Sequence, residues 1–178
     1  CMAIGYLYTG GPIPISWTPF GELFSGLFMG MIIILLAFFI QTGNVNGFVV
    51  WISLPIVITI GLINMANNIR DRVKDKASGR KTLPILLGKK ASIIFMAAMY
   101  ILAYLIVIFT ALFKSGGSLF YLLVLFSFPM PIKAIRRFNK NDTPASMMPA
   151  MAATGKTNTV FGILYALGIY ISALLGGI

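Results

Sequence analysis

The sequence predicts an all-α, polytopic transmembrane helical bundle, and three observations carry that prediction. Of its 178 residues, 58% are hydrophobic and only 10% charged, more apolar surface than a soluble domain of this length can hide in one core. The apolar residues gather into five stretches that approach the roughly 20 residues a helix needs to cross a bilayer. The 14 Lys and Arg face only four acids, and they cluster between the apolar stretches as loop charges of membrane proteins do.

The chain opens on Gly5-Tyr6-Leu7-Tyr8-Thr9-Gly10-Gly11-Pro12, which has the pattern of an apolar helix end running into a Gly and Pro turn. It reads as the stump of an earlier element. The first span covers residues 20–40 and contains Gly26 and Gly30, a small-xxx-small pair suited to close helix packing. The second, 48–63, is expected to bend at Pro55, a feature that membrane helices tolerate when neighbours satisfy the freed carbonyl. The third covers 92–113. The fourth, 119–132, is the shortest and ends in Pro129 and Pro131, so a tilted, kinked or re-entrant segment is expected. The fifth covers 160–178, preceded by Asp142-Thr143-Pro144, an N-cap and first turn expected to start a short cytoplasmic helix. The connections 41–47 and 114–118 are short, which predicts antiparallel neighbours.

Charge sets orientation and narrows the chemistry. The loop 64–91 holds eight basic residues and the segment 133–158 holds five, against Lys114 alone between them. Five spans put both basic loops on one side, and the excess assigns that side to the cytoplasm of a cell-membrane protein. The net charge of +10 does not point to nucleic acid, because the cations lie in inter-helix loops rather than on an aromatic-studded face; anionic lipid or a phosphorylated substrate fits better. There is no histidine, which excludes imidazole bases, the Ser-His-Asp triad and His-ligated metals. The single cysteine, Cys1, permits no intrachain disulfide and no soft-metal site. Any metal must be held by oxygen. Gly155-Lys156-Thr157 is not a phosphate-binding loop, since the required preceding glycine is Ala150 and no strand leads into it.

Two of the four acids, Asp71 and Asp75, stand four residues apart just after an apolar run. At 100° per residue, Asn64, Asn67, Asn68, Asp71, Asp75 and Ser78 fall within one helical stripe about 100° wide. Two carboxylates on successive turns suit a hard cation that keeps several waters and is completed by phosphate oxygens, the magnesium pattern. Arg70, Arg72, Lys74 and Lys76 flank the stripe. A solvated helix surface explains Arg72, Lys76, Lys89 and Lys90, but not the stripe, because like charges four apart are unfavourable and polar groups leading back toward the bilayer mark function. Glu22 and Asp142 are isolated in sequence.

Asn67-Asn68-x-Arg70-Asp71-x-x-x-Asp75, followed by Gly79-Arg80-Lys81-Thr82-Leu83 and Gly88, resembles the second aspartate-rich motif of the UbiA-type membrane prenyltransferases. The form of the motif is most similar to the 1,4-dihydroxy-2-naphthoate prenyltransferases of menaquinone synthesis. The stretch from Gly5 to Pro12 with Gly21-Glu22, and Pro149-Ala150-Met151 through Lys156 to Gly162, extend the resemblance over the whole chain. It implies a fold of roughly nine helices around a central cavity, of which about five are present as the C-terminal part of one domain. The resemblance implies that the family's first aspartate-rich motif is to be expected upstream, so the 178-residue piece alone is expected to be inactive. Asp71 and Asp75 are implied as Mg2+ ligands through the diphosphate of a polyprenyl donor, with Arg70, Lys74, Asn67, Asn68, Arg80 and Lys81 around that diphosphate. Tyr6 and Tyr8, with Trp17, are candidates for the substrate pocket, where aromatic faces can stabilise an allylic cation; as interfacial belt aromatics they have an equally good explanation. The aromatic acceptor implied is 1,4-dihydroxy-2-naphthoate. Haem, chlorophyllide or hydroxybenzoate acceptors of the same superfamily, or a transporter or scaffold role outside it, are the competing readings. Transporters usually place their acids in mid-span rather than at a helix end beside eight cations.

Overall fold

The computed structural model describes residues 2–114 and 116–176. Cys1, Ser115 of the 114–118 connection and the last two residues of the expected fifth span lie outside the described residues. Five helices are long and apolar enough to cross a membrane, and no strand occurs among the described residues. We number the helices α1 (Met2–Thr9), α2 (Gly21–Thr42), α3 (Gly47–Ala77), α4 (Leu83–Phe113), α5 (Pro129–Lys140) and α6 (Pro144–Leu174).

A 3-10 turn, Ile15–Trp17, links α1 to α2. Helix α2 widens into a π-helical turn over Leu27–Ile32, where it crosses α3. The crossing is close because it is made of glycine: a Cβ on Gly26 would sit 2.3 Å from the Val57 carbonyl oxygen, and one on Gly30 would sit 3.1 Å from the Val57 Cα. The pair therefore serves packing, as its spacing suggests. Beyond the π turn α2 parts from α3, leaving Ile33, Leu36, Phe39 and Ile40 exposed. Asn46 starts α3 by accepting the Val49 N–H at 2.9 Å, the usual role of an N-cap amide.

Two expected boundaries differ. The stretch 64–91, expected as a loop, is helical except for residues 78–82 and a break at Gly88 (φ 78°, ψ 166°). Hydropathy falls at residue 64, but no Gly or Pro interrupts the chain there, so α3 runs on for about four more turns until Gly79 (φ +80°) takes the left-handed conformation that ends a helix. Likewise 133–158 is helical apart from residues 141–143. The short helix expected after Asp142 is instead the start of the 31-residue α6, and its N-cap is Thr143, in a reciprocal capping box with Ser146. Asp142 lies outside that cap and pairs with Lys89.

The fourth span is two pieces, a 3-10 segment Leu119–Ser127 and α5, joined at Pro129. Proline at the first turn of α5 suits a helix start and prevents continuation of what precedes it. In α5, Pro131, Ala134 and Phe138 face inward while Arg137 and Lys140 occupy the exposed last turn.

Helix α3 is the hub, packing on α2, α4 and α6. Around its polar end Leu62, Met65, Ala66 and Ile69 meet Ile93, Met96 and Tyr100 of α4, Phe138 of α5 and Met147 and Ala150 of α6. At the opposite end Tyr104, Val107, Tyr121, Val124, Phe161 and Tyr165 form a second cluster. Buried hydroxyls stitch it, with Tyr104 Oη and Ser127 Oγ 2.7 Å apart and Trp51 Nε1 donating to Thr110 Oγ1 at 2.8 Å, the side-chain bonding that holds helices together in lipid. The apolar clusters hold α3 in place, and about its last four turns carry the polar stripe.

Candidate active site

The stripe expected from helical spacing exists on α3, and Asn64, Asn68, Asp71 and Asp75 each have a side-chain partner. Asn68, 8% exposed, donates from Nδ2 to Oε1 of Glu22 at 2.8 Å; Glu22, also 8% exposed, sits in the first turn of α2. Its second oxygen is buried with no partner among the described residues. Asn64 donates to the Tyr8 hydroxyl at 3.0 Å, and Tyr8 in turn donates to the Gly21 carbonyl at 3.3 Å. Asn67 faces an open cavity.

The two aspartates are each matched by a guanidinium. Arg70 grips Asp71 with both ends of its fork, Nε to Oδ1 at 2.8 Å and Nη2 to Oδ2, and its remaining Nη1 lies 3.4 Å from the Met148 sulfur of α6. Bidentate pairing of this kind fixes orientation as well as charge. Asp75, 7% exposed, is 3.4 Å from Arg80. Arg80 is held over the Trp17 ring at 5.6 Å, and the neighbouring Lys81 N–H donates to the Trp17 carbonyl at 2.8 Å. The turn after α3 is thus clasped to the turn before α2. Trp17 spends its ring face on Arg80, so the aromatic expected at a cavity mouth is a support for the arginine. Lys74 and Lys81 are exposed and form no ion pair among the described residues.

Two cavities of about 600 and 330 Å³ share Ser25, Met29 and Asn64. The larger runs from Tyr8 and Asn64 along Phe24, Phe28 and Ile32 to Leu36, a polar head with an apolar length. The smaller lies between α2, α3 and α6, where Asn67 meets Asn158. Of the two tyrosines considered for the pocket, Tyr8 lines the larger cavity, while Tyr6 is 68% exposed on α1.

Comparison with known proteins decides the family. Residues 1–160 match the UbiA prenyltransferase family. The chain belongs to that family. As a UbiA-family chain it is 49% identical over 172 residues to the 1,4-dihydroxy-2-naphthoate octaprenyltransferase of Bacillus subtilis (strain 168), covering 96% of the chain and 55% of that protein. It is 32% identical to the UbiA prenyltransferase domain-containing protein 1 homolog of Drosophila melanogaster, covering 92% of the chain and 44% of the homolog. With the protein of the same family name from Rattus norvegicus the identity is 30%, over 94% and 47%. The chain therefore spans about half the length of the curated relatives it matches. No solved structure matches it.

For this UbiA-family chain the metal question has a limited answer. Its donors at the stripe are oxygens only, two carboxylates and neighbouring amides, which fits a hard cation. Among the described residues no three His, Cys, Asp or Glu side chains come together. A hard cation held there would need oxygens beyond these two carboxylates. Glu22 is the residue that sequence reasoning missed. Its signal was present: an acid at the head of an apolar helix is costly unless it is partnered.

Proposed function

We propose that the chain carries the aspartate-rich half of the active site of a magnesium-dependent polyprenyltransferase, which moves a polyprenyl group from polyprenyl diphosphate to an aromatic acceptor. The acceptor we assign is 1,4-dihydroxy-2-naphthoate, giving the prenylated 1,4-naphthalenediol that is the reduced form of demethylmenaquinone. The observation that carries the reading is the end of α3, where Asp71 and Asp75 lie on successive turns, each beside a guanidinium, with Asn67, one turn before Asp71, lining an amide-bordered cavity. The printed function of the Bacillus subtilis relative supports the choice of acceptor.

The chemistry follows from what such residues can do. The allylic C–O bond of the donor breaks and diphosphate leaves with the electron pair. The acceptor's carboxyl-bearing ring carbon attacks the allylic cation, its carboxyl departs as carbon dioxide, and that bond's electrons restore the aromatic ring. Magnesium bound with the diphosphate would neutralise the charge that grows on the leaving group. Asp71 and Asp75 are the groups to hold it, with Asn67 and Asn68 orienting them. Arg70 and Asp71 are paired, and the Arg70 guanidinium fixed beside Asp71 is the group that would meet diphosphate oxygens and stabilise the departing charge. Arg80 holds Asp75 and, with Lys74 and Lys81, keeps that helix end positive. The apolar length of the larger cavity keeps water from the cation. The same basic end of the bundle faces the cytoplasm in this reading.

The test is turnover by the complete enzyme in proteoliposomes with Mg2+ and polyprenyl diphosphate, offered dihydroxynaphthoate or 4-hydroxybenzoate, with products identified by mass spectrometry. Prenylated naphthalenediol with loss of carbon dioxide is expected. Product from hydroxybenzoate alone would contradict the acceptor assignment. The 178-residue chain by itself is expected to give no product, since it supplies one side of the metal site.

A further inference from the structure

The smaller cavity contains a polar group that neither the aspartate stripe nor the diphosphate reading uses. Asn158 lies halfway along α6, and its Oδ1 is buried with no hydrogen-bond partner among the described residues. It lines the 330 Å³ cavity opposite Asn64 and Asn67 of α3, with Ser25 of α2 beside them and Met29 and Ile63 as apolar wall. An unpaired buried amide oxygen costs free energy comparable to a lost hydrogen bond and marks a place where a partner belongs. Every polar group around this cavity is uncharged, and amides and hydroxyls do not neutralise a phosphate. Such a lining suits a flat apolar body with hydroxyl donors at its edge.

The position fits the proposed reaction. Asn67 is one helical turn, about 6 Å, from Asp71, and Asn64 is about 10 Å from it. A ring bound among these amides therefore lies within a turn of the donor's diphosphate end. The Tyr8 hydroxyl takes the Asn64 amide N–H, which fixes that amide's orientation. We propose that Asn158, with Asn64, Asn67 and Ser25, forms the subsite for the hydroxylated aromatic acceptor, the Asn158 amide pairing with a ring hydroxyl. Asn158 is thereby an acceptor-specificity residue contributed by the last helix. This rests on the prenyl-transfer reading and extends it to the second substrate.

The test is steady-state kinetics of the complete enzyme, wild type against Asn158→Ala, with acceptor and polyprenyl diphosphate varied separately. Loss of a hydroxyl contact to a buried amide predicts a rise of roughly tenfold in acceptor KM, with the diphosphate KM unchanged within about twofold. A monomethyl ether of the acceptor should react about tenfold worse than the free hydroxyl in the wild type and show no such gap in Asn158→Ala. If Asn158→Ala does not fold, Asn158→Ser carries the same comparison. An unchanged acceptor KM, or equal increases in both KM values as expected of a residue that only packs against other helices, would overturn the subsite while leaving prenyl transfer intact. A wild-type enzyme that prenylates no hydroxylated ring would overturn both.

Discussion

Glu22→Ala is the substitution that best separates this architecture from a simple helix bundle. The wild-type contact is a 2.8 Å hydrogen bond from Asn68 Nδ2 to Glu22 Oε1, between helices 46 residues apart in sequence and with both side chains 8% exposed. Truncation to alanine leaves the Asn68 amide without an acceptor, a penalty of about 1–3 kcal/mol for a buried donor. Side-chain bonds between membrane helices generally fall lower, averaging about 0.6 with a maximum near 1.7 kcal/mol. The overlap sets the expectation at about 1–2 kcal/mol. Glu22→Gln keeps an oxygen in the same place and should cost no more than about 0.5 kcal/mol. Unfolding in mixed detergent micelles measures the first quantity, and a Glu22→Ala/Asn68→Ala cycle isolates the pair, with a coupling of at least about 0.5 kcal/mol expected. The same loss of Asn68 positioning should raise the KM for polyprenyl diphosphate about 5- to 30-fold in the complete enzyme. Equal behaviour of the alanine and glutamine variants, or strict additivity in the cycle, would refute the claim that Glu22 holds the aspartate stripe from α2.

Other substitutions probe the remaining supports. Gly26→Val forces a side chain against the Val57 carbonyl, where even a Cβ would stand at 2.3 Å; the overpacked crossing should lose about 1–3 kcal/mol, read as a lower unfolding midpoint in detergent. Trp17→Ala removes the ring beneath Arg80, worth about 0.5–1 kcal/mol at a partly exposed site, and amide exchange should quicken at residues 79–82 while the core of α4 is unaffected. Thr143→Ala breaks the capping box of α6 and should cost about 1 kcal/mol, with fraying detected by exchange over the first turn after Pro144.

How far the sequence disclosed all this depends on which physical signal each feature leaves. Helical spacing alone placed Asn64, Asn67, Asn68, Asp71 and Asp75 on one face, because the 3.6-residue repeat is local and needs no partner. Hydropathy located the bilayer core but not the ends of helices. It read 64–91 and 133–158 as loops, although the Lys, Arg, Ala and Met there favour helix and the real stops are Gly79, Gly88 and residues 141–143. The seating of Arg80 on Trp17, the Glu22–Asn68 bond and the convergence of Asn158 on Asn67 are long-range pairings set by how helices cross. No local pattern encodes them. Trp17 looked like a cavity aromatic because composition cannot say which face a ring spends and on what.

The central claim, that the end of α3 grips a magnesium-bound diphosphate, is tested most directly by binding. Labelled polyprenyl diphosphate is titrated onto the complete enzyme in nanodiscs, with and without Mg2+, for the wild type, Asp71→Asn and Asp75→Asn. We expect saturable, Mg2+-dependent binding by the wild type and at least a tenfold weakening in each variant, with both variants still inserted and folded. Wild-type affinity retained in Asp71→Asn and Asp75→Asn, or binding indifferent to Mg2+, would contradict it.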